Sequence, residues 1–368
     1  MTSPYLKSVT FATPSQPFPL LAGGSLPQVT IAYETWGELS PRRDNLILIT
    51  TGLSASSHVA RHDADDEPGW WEEMVGPGHP IDTDRYFVVC TNVLGGCFGS
   101  TGPASLNPET GETYGVEFPV LHVEDMVNAQ TRVLDHLGVD RAFTVIGASL
   151  GGMLSLQWGA QCPERVRSIC SLAAPGRAYA FSIAWRAVQR SVVTSDPAWK
   201  GGRYAPGEGP VAGLNNARAI GIISYRSPEE FDARFGRDWE EGPEGGRFAV
   251  ESYLDHNASK FGLRFDANSY LTVARAMDFF DLGRGSASYE EGVARISSPT
   301  LVVGFSSDLL FPPSQQREVA EILRRQGRQI RYEEFDTVHG HDTFLIEIDR
   351  LGGVLTSFFE TVDADLRV

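Results

Sequence analysis

The sequence predicts a doubly wound α/β fold, in which a mostly parallel sheet is flanked by helices. Short, almost wholly apolar runs recur along the chain, as expected for parallel strands that are covered on both faces. Helical patterns separate several of these runs, and such strand–helix alternation is typical of doubly wound sheets. The runs occupy residues 29–33, 46–50, 86–90, 143–146, 169–172, 300–304 and 330–332.

Four helices are predicted in the parts of the chain that carry these strands. They cover residues 123–137, 150–161, 314–325 and 346–362. Gly138 follows the first helix, where glycine commonly ends one, and the second ends before Pro163. The third begins after the Pro312–Pro313 pair, in keeping with the preference for proline at helix starts.

The alternation stops between about residue 174 and residue 297. Long helical patterns cover 180–193 and 217–224, glycine-rich joints interrupt them, and no convincing buried strand is present. We therefore expect a mainly helical lid at 174–297, inserted between two parts of one core at 1–173 and 298–368.

Composition and charge exclude several classes of protein. The chain has 368 residues, 42% of them hydrophobic, so it can build a core and is not a disordered chain. The formal charge is −16, from 31 Lys and Arg against 47 Asp and Glu. A chain this acidic is not expected to bind nucleic acid or an anionic membrane over a broad surface, and an anionic ligand would need a local basic patch.

The four cysteines, at positions 90, 97, 162 and 170, are too few and too irregularly spaced for a disulfide framework or a zinc site. Residues 1–16 lack the apolar run of a signal peptide, and no stretch has the apolar length of a membrane span. The expectation is a cytoplasmic protein.

The segment Gly147-Ala148-Ser149-Leu150-Gly151 joins a predicted strand to a predicted helix. Gly-x-Ser-x-Gly in that context predicts a nucleophile elbow, because only small residues on either side let the strand and helix pass so closely. Ser149 is then the nucleophile. The N–H of Leu150, at the start of the helix, would donate to the oxyanion that forms on the acyl group.

A serine nucleophile of this kind needs an acid and a histidine later in the chain. Asp308 follows the strand at 300–304, and His341 follows the run at 330–332 and precedes the last helix. Asp336 competes with Asp308, and His339 competes with His341. His339, His341 and Asp342 lack a second ligand cluster, so no metal is predicted.

The second oxyanion donor is expected in the turn after the strand at 46–50, and the N–H of Leu53 is the candidate. No dinucleotide fingerprint or Walker loop occurs in the chain, and no bound cofactor is predicted.

Several longer motifs resemble those of the homoserine O-acyltransferases of the α/β-hydrolase superfamily. The resemblance runs from about residue 32 to about residue 347, and implies the α/β-hydrolase fold. The motifs are Trp-Trp-Glu at 70–72, Gly-Pro-Gly at 76–78, Asn-Val-Leu-Gly-Gly-Cys at 92–97, Gly-Ser-Thr-Gly-Pro at 99–103, the segment 261–270 and Ala-Met-Asp at 276–278.

The resemblance implies a function and further site residues. The family's nucleophile, acid and base fall on Ser149, Asp308 and His341. Its carboxylate-binding arginine falls on Arg190, and a further substrate contact falls on Asp342. The implied reaction is ping-pong transfer of an acyl group from acetyl-CoA or succinyl-CoA to the hydroxyl of a small amino acid, and dimers are common in the family, so a homodimer is expected.

Two departures from the family pattern concern the acceptor. The elbow reads Gly-Ala-Ser-Leu-Gly-Gly instead of Gly-Gly-Ser-Met-Gly-Gly, and 52–55 read Gly-Leu-Ser-Ala instead of Ala-Leu-Thr-Gly. Segments 92–103 and 306–313 resemble homoserine O-acetyltransferases, whereas 53–55, 225–227 and 231–237 resemble the serine-using branch. Homoserine, for methionine synthesis, is the first expectation and serine the second.

The three catalytic residues alone would also suit a plain esterase or thioesterase, and the fold alone would suit a non-catalytic binding protein.

Overall fold

Eight strands form one sheet in the computed structural model, which describes residues 4–242 and 245–365. They are β1 (Lys7–Phe11), β2 (Val29–Trp36), β3 (Leu46–Thr50), β4 (Phe87–Thr91), β5 (Thr144–Ala148), β6 (Ile169–Leu172), β7 (Thr300–Phe305) and β8 (Ile330–Phe335). Their order across the sheet is β1-β2-β4-β3-β5-β6-β7-β8. β2 runs antiparallel to both of its neighbours, and the remaining pairs are parallel.

The helices pack on both faces of this sheet and in the segment between β6 and β7. They are α1 (Val123–Leu137), α2 (Leu150–Gln161), α3 (Ala180–Ser195), α4 (Val211–Tyr225), α5 (Pro228–Phe235), α6 (Ala249–Ser259), α7 (Ala267–Asp278), α8 (Tyr289–Ala294), α9 (Pro313–Arg325), α10 (Thr343–Ile346) and α11 (Ile348–Asp365). Single turns of 3-10 helix occur at Gly115–Glu117, Pro163–Arg165 and Gly340–Asp342, and a longer kinked one at Pro197–Gly202.

The central strands are apolar throughout because both faces of the sheet are covered. In β3, Leu46 and Leu48 join the core that contains α1 and α2, whereas Ile47 and Ile49 join the core that contains α11. All five residues of β3 are buried. The predicted α/β-hydrolase fold is confirmed, and the bounds of β3, β6, α1 and α2 coincide with the predicted ones.

The edges of the sheet differ most from the prediction. β1 was not predicted, because it is short and only two of its residues, Val9 and Phe11, are apolar and partly buried. Antiparallel pairing with β2 holds it at the edge of the sheet. β8 is twice as long as the predicted run, since its charged residues lie at an edge where burial on both faces is not needed. The predicted last helix is divided at Glu347 into α10 and α11.

Six helices, α3 to α8, follow β6 before the chain returns to the sheet at β7. Apolar residues of α3, α4 and α7, among them Val193, Leu214 and Tyr270, form a small core of their own. The last residue of α4, Tyr225, lies against the turn that begins at Gly340. A short exposed pair of strands, Trp239–Glu240 and Arg247–Phe248, is also present. Within the described ranges no helix is both long and apolar enough to cross a membrane.

Candidate active site

Ser149 lies on a sharp turn between β5 and α2. Its backbone has φ 60° and ψ −122°, a conformation that costs a non-glycine residue about 1–3 kcal/mol and is concentrated at functional sites. A Cβ on Gly147 would overlap Thr50 Oγ1, and one on Gly151 would overlap the Thr50 carbonyl oxygen. The two glycines are therefore needed for β3, β5 and α2 to approach so closely, which is the steric requirement of a nucleophile elbow.

Asp308 and His341 meet at the carboxyl ends of β7 and β8. The Nδ1–H of His341 donates to Asp308 Oδ2 at 2.6 Å, and the backbone N–H of Phe311 donates to Asp308 Oδ1 at 2.8 Å. Both side chains are buried, with 2% of Asp308 and 3% of His341 exposed. This arrangement fixes the ring orientation of His341 and places its proton on Nδ1.

The competing residues do not form such a pair. Asp336 is exposed and accepts a hydrogen bond from Ser306 Oγ at 3.3 Å. His339 is about one-third exposed, and its Nδ1 lies 3.7 Å from Glu230 Oε2. Neither residue contributes to the cavity in front of Ser149.

The second ring nitrogen of His341 is available for proton transfer. Nε2 is buried and has no hydrogen-bond partner among the described residues. Burial alone would lower the pKa of His341, but the charge and hydrogen bond of Asp308, together with the charge of Asp342, outweigh burial and raise it. His341 is therefore a stronger base than an ordinary histidine.

Ser149 and His341 line one cavity of about 270 Å³. The other lining residues are Gly52, Leu53, Ser54, Ala55, Trp70, Ala148, Arg218, Tyr225, Asp342, Phe344 and Leu345. The loop that carries Leu53 thus borders the nucleophile. Leu150 is the first residue of α2, and the first N–H groups of a helix have no acceptor within it. Both candidate oxyanion donors therefore belong to segments that adjoin Ser149.

Arg218 and Asp342 place opposite charges in this cavity. Arg218, on α4, has no carboxylate within 4.0 Å in the described part of the chain; its Nη1 lies 3.4 Å from Ser54 Oγ, and its guanidinium lies over the Tyr225 and Phe261 rings. Asp342 Oδ2 lies 3.2 Å from Arg226 Nε. Burial raises the pKa of Asp342, although Arg226, His341 and Arg218 oppose that effect.

The chain is similar to known proteins over most of its length. A family model described as the alpha/beta hydrolase fold matches residues 45–345. A serine O-succinyltransferase of Litchfieldella anticariensis is 50% identical over 350 residues, which cover 93% of this chain and 95% of that protein. A homoserine O-acetyltransferase of Symbiobacterium thermophilum is 48% identical over 362 residues, which cover 96% and 94% of the two chains.

The chain belongs to the homoserine O-acyltransferase family of α/β-hydrolases. The resemblance found in the sequence is thereby confirmed, and the protein is an acyltransferase. Among solved structures, homoserine O-acetyltransferase from Bacillus anthracis superposes with a TM-score of 0.88 at 28% identity, covering 96% of this chain and 97% of that one. Esterase E22 superposes with a TM-score of 0.87 at 27% identity, covering 96% and 100%.

Arg190 of this acyltransferase lies outside the cavity lining and is paired with another side chain. Its Nη1 is 2.6 Å from Asp278 Oδ2, and Arg186 Nε is 2.6 Å from Oδ1 of the same aspartate. Asp278 is almost fully buried, so the two arginines neutralise it within α3 and α7. The structure does not bring Arg190 together with Ser149, and the cavity holds Arg218 instead.

Arg218 was missed although the sequence carried the same signal that selected Arg190. Both are arginines within apolar helical segments, and only the fold shows which one already has a carboxylate partner. Tyr225 belongs to the segment 225–227 that resembles the serine-using branch, but the sequence predicted no place for it in the site. Its ring centroid lies 5.8 Å from that of His341.

A further group of titratable side chains is brought together by the fold and is not marked by any sequence motif. Glu34, His58 and His62 offer ligand atoms that all lie within 4.8 Å of one another.

The four cysteines are free thiols, and burial raises the pKa of each of them.

Proposed function

We propose that this acyltransferase forms an acyl-enzyme on Ser149 and then transfers the acyl group to the hydroxyl of a small amino acid. The supporting observations are the Asp308–His341 hydrogen bond of 2.6 Å, the Nε2 of His341, which has no hydrogen-bond partner within the described ranges, and the cavity that His341 and Ser149 both line. Nucleophile, base and orienting acid are the roles that such a trio fills in acyl transfer.

In the first half-reaction His341 Nε2 accepts the Ser149 hydroxyl proton as Oγ attacks the thioester carbonyl of the acyl-CoA. The N–H groups of Leu53 and Leu150 stabilise the oxyanion of the tetrahedral intermediate. The intermediate collapses with loss of the thiolate of CoA, which takes the proton back from His341. Asp308 stabilises the imidazolium in the meantime.

In the second half-reaction His341 deprotonates the acceptor hydroxyl, whose oxygen attacks the acyl-enzyme carbonyl. The bond to Ser149 Oγ then breaks, and Oγ takes the proton back from His341. A zwitterionic amino acid presents a carboxylate and an ammonium group. Arg218 is suited to the carboxylate because its charge has no carboxylate partner in the described chain, and Asp342 is suited to the ammonium group. We therefore propose Arg218 for the role that the resemblance implied for Arg190.

The acceptor that we propose first is L-homoserine, with acetyl-CoA as donor. L-serine, with acetyl-CoA or succinyl-CoA, is the second candidate, because the relatives divide between names of both kinds. The two acceptors differ by one methylene, which a pocket distinguishes by only about 1–3 kcal/mol. Partial activity on both is expected.

Hydrolysis is the side reaction that this fold must suppress, since esterases share it. We propose that the helical segment 174–297 acts as a lid that keeps water from the acyl-enzyme. α4 supports this assignment, because it carries Arg218 and its last residue, Tyr225, lies against the turn of His341.

The homodimer remains a proposal. On α3, Phe181 and Val188 are 55% and 52% exposed and lie two turns apart on one side of the helix. Large apolar side chains so placed are typical of a surface that a second copy covers.

The deciding experiment is a matrix of acetyl-CoA and succinyl-CoA against homoserine and serine, measured as kcat/KM for acyl transfer and for hydrolysis. Acyl transfer to either amino acid at well above the hydrolysis rate supports the proposal. Release of CoA that neither amino acid accelerates would instead favour a thioesterase.

A further inference from the structure

Leu53 lies in the loop at 51–58, which follows β3. A buried carboxylate, Glu34 on β2, holds the end of this loop that is farther from β3, at Ser57 and His58. Glu34 is 2% exposed, and no lysine or arginine within the described ranges forms an ion pair with it. Its Oε1 accepts a hydrogen bond from Ser57 Oγ at 3.0 Å, and its Oε2 accepts one from His58 Nδ1 at 2.9 Å. A buried carboxylate is retained only when such bonds compensate for its lost hydration.

His58 is bonded at both ring nitrogens. Its Nε2 lies 2.7 Å from the backbone carbonyl oxygen of Glu67, which can only accept a hydrogen bond. Since the Glu34 carboxylate also accepts, His58 donates from both nitrogens, which only the imidazolium form can do. Burial opposes that charge, but the Glu34 and Glu67 hydrogen bonds and the charges of Glu34 and Asp66 raise the pKa of His58. Glu34 and His58 therefore form an ion pair in which Glu34 is buried and the His58 side chain is 19% exposed.

Neighbouring bonds connect this ion pair to the active-site loop. Asn92 Oδ1 accepts the Ser57 N–H at 2.7 Å, and Asn92 Nδ2 donates to Ser57 Oγ at 3.0 Å. Trp70, which lines the cavity, donates from Nε1 to the Ser56 carbonyl oxygen at 2.8 Å. At the other end of the loop, directly after β3, Thr51 Oγ1 donates to the Thr91 carbonyl oxygen at 3.3 Å. The segment with Leu53 is thus held between two anchored ends.

The same side chains could hold a metal ion, but the hydrogen bonds argue against that use. A metal ion on His58 Nδ1 would replace the proton that this nitrogen donates to Glu34. His62 Nδ1, 3.8 Å from Glu34 Oε2, is already within 3.0 Å of Asp66 Oδ2. The contacts present are those of an ion pair that fixes a loop.

We propose that Glu34 and His58 are positioning residues for the oxyanion hole, holding the loop so that the Leu53 N–H points at the reacting carbonyl oxygen. The inference rests on the proposed function in one respect, the role of Leu53 as a donor. An oxyanion donor acts mainly on the transition state, so its displacement lowers the rate of acylation more than it weakens substrate binding.

The test measures acylation of Ser149 by p-nitrophenyl acetate in wild type, Glu34→Gln and His58→Gln. We expect the acylation rate constant to fall about 10- to 100-fold, less than the loss of an oxyanion donor itself, with the KM for the ester changed less than about 3-fold. A boronic acid that adds to Ser149 should bind more weakly by a similar factor, because its tetrahedral adduct uses the same donors.

Asp125→Asn is the matched control. Asp125 is also a buried carboxylate, on α1, and accepts the backbone N–H groups of Leu21 and His122 at 2.8 and 2.9 Å. It lies outside the cavity lining, so its replacement should lower the melting temperature without slowing acylation. If Glu34→Gln does not fold, Ser57→Ala, which removes one of the two bonds to Glu34, serves in its place.

Acylation at the wild-type rate in folded Glu34→Gln or Ser57→Ala would overturn the inference. It would also be overturned if these variants lost no more of the acylation rate than Asp125→Asn does. Loss of wild-type activity in EDTA with recovery in Zn²⁺ would replace it by a metal site. The ester needs neither CoA nor an amino acid. If the enzyme failed to transfer an acyl group from acyl-CoA to homoserine or serine, the proposed function would be overturned. The comparison of ester acylation rates among the variants would still test the role of Glu34 and His58.

Discussion

Asp308 and His341 are 33 residues apart in the chain, yet a 2.6 Å hydrogen bond joins them in the protein interior. They come together because β7 and β8 are adjacent parallel strands, whose carboxyl ends lie at the same edge of the sheet. The elbow at Ser149 follows β5 at that edge as well. The site is thus assembled by strand order and not by proximity in sequence.

Replacing Ser149 by alanine should abolish acyl transfer. With no nucleophile the acyl-enzyme cannot form, and we expect a loss of about 10⁴-fold or more in kcat. Ser155→Ala, a buried serine further along α2, is the control and should retain activity. The measurement is the burst of free CoA on mixing with acyl-CoA, and a burst of unchanged size in Ser149→Ala would contradict the assignment.

Asp308→Asn should leave the fold intact and lower kcat steeply, because the amide no longer stabilises the imidazolium or fixes the proton on Nδ1 of His341. Asp336→Asn should have a much smaller effect, since Asp336 is exposed and does not contact His341. Steady-state rates with circular dichroism as a check on folding distinguish the two. The reverse order of effects would show that the acid has been assigned wrongly.

The pH dependence of acylation should report the raised pKa of His341. His341 must be neutral to accept the Ser149 proton, so activity is lost as pH falls through its pKa. We expect that acid limb above the ordinary histidine value of 6.5. In Asp342→Asn, which removes one of the charges that raise it, the limb should move to lower pH. A limb that stays in place in this variant would show that Asp342 does not influence the base.

Arg218→Ala should spare acylation of Ser149 and impair the second half-reaction. The acyl-CoA does not need the carboxylate clamp, whereas the amino acid does, and losing a charge-assisted contact costs about 1.5–3 kcal/mol. The KM for the amino acid should rise accordingly. Arg190→Ala is the comparison: it removes one of two close partners of Asp278 and should act mainly on stability. Weaker amino-acid binding in Arg190→Ala alone would restore the assignment that the family resemblance implied.

Sequence patterns identified those residues whose role depends on their immediate neighbours in the chain. Ser149 was identified because an elbow needs glycines at fixed positions, and the buried strands because both of their faces are apolar. Asp308 and His341 could be narrowed to two candidates each by chain order, but only strand adjacency shows which aspartate faces which histidine.

Charged residues that act through tertiary partners could not be predicted in this way. Arg190 and Arg218 both follow the pattern of an arginine in an apolar helix, and their difference is the presence of Asp278 beside one of them. Glu34 and His58 lie in different parts of the chain, and neither belongs to a motif that predicts their ion pair. β1 was not predicted for a related reason, because its short run has few apolar residues and its pairing with β2 is visible only in the fold.

In the proposed mechanism Ser149 carries the acyl group between donor and acceptor. The most direct measurement of that step is the intact mass of the enzyme after mixing with acetyl-CoA alone, followed by addition of homoserine or serine. We predict a mass increase of one acetyl group, located on Ser149, that either amino acid discharges into an O-acetylated product much faster than water does. The absence of any adduct, or an adduct that decays at the same rate with and without the amino acids, would contradict the mechanism.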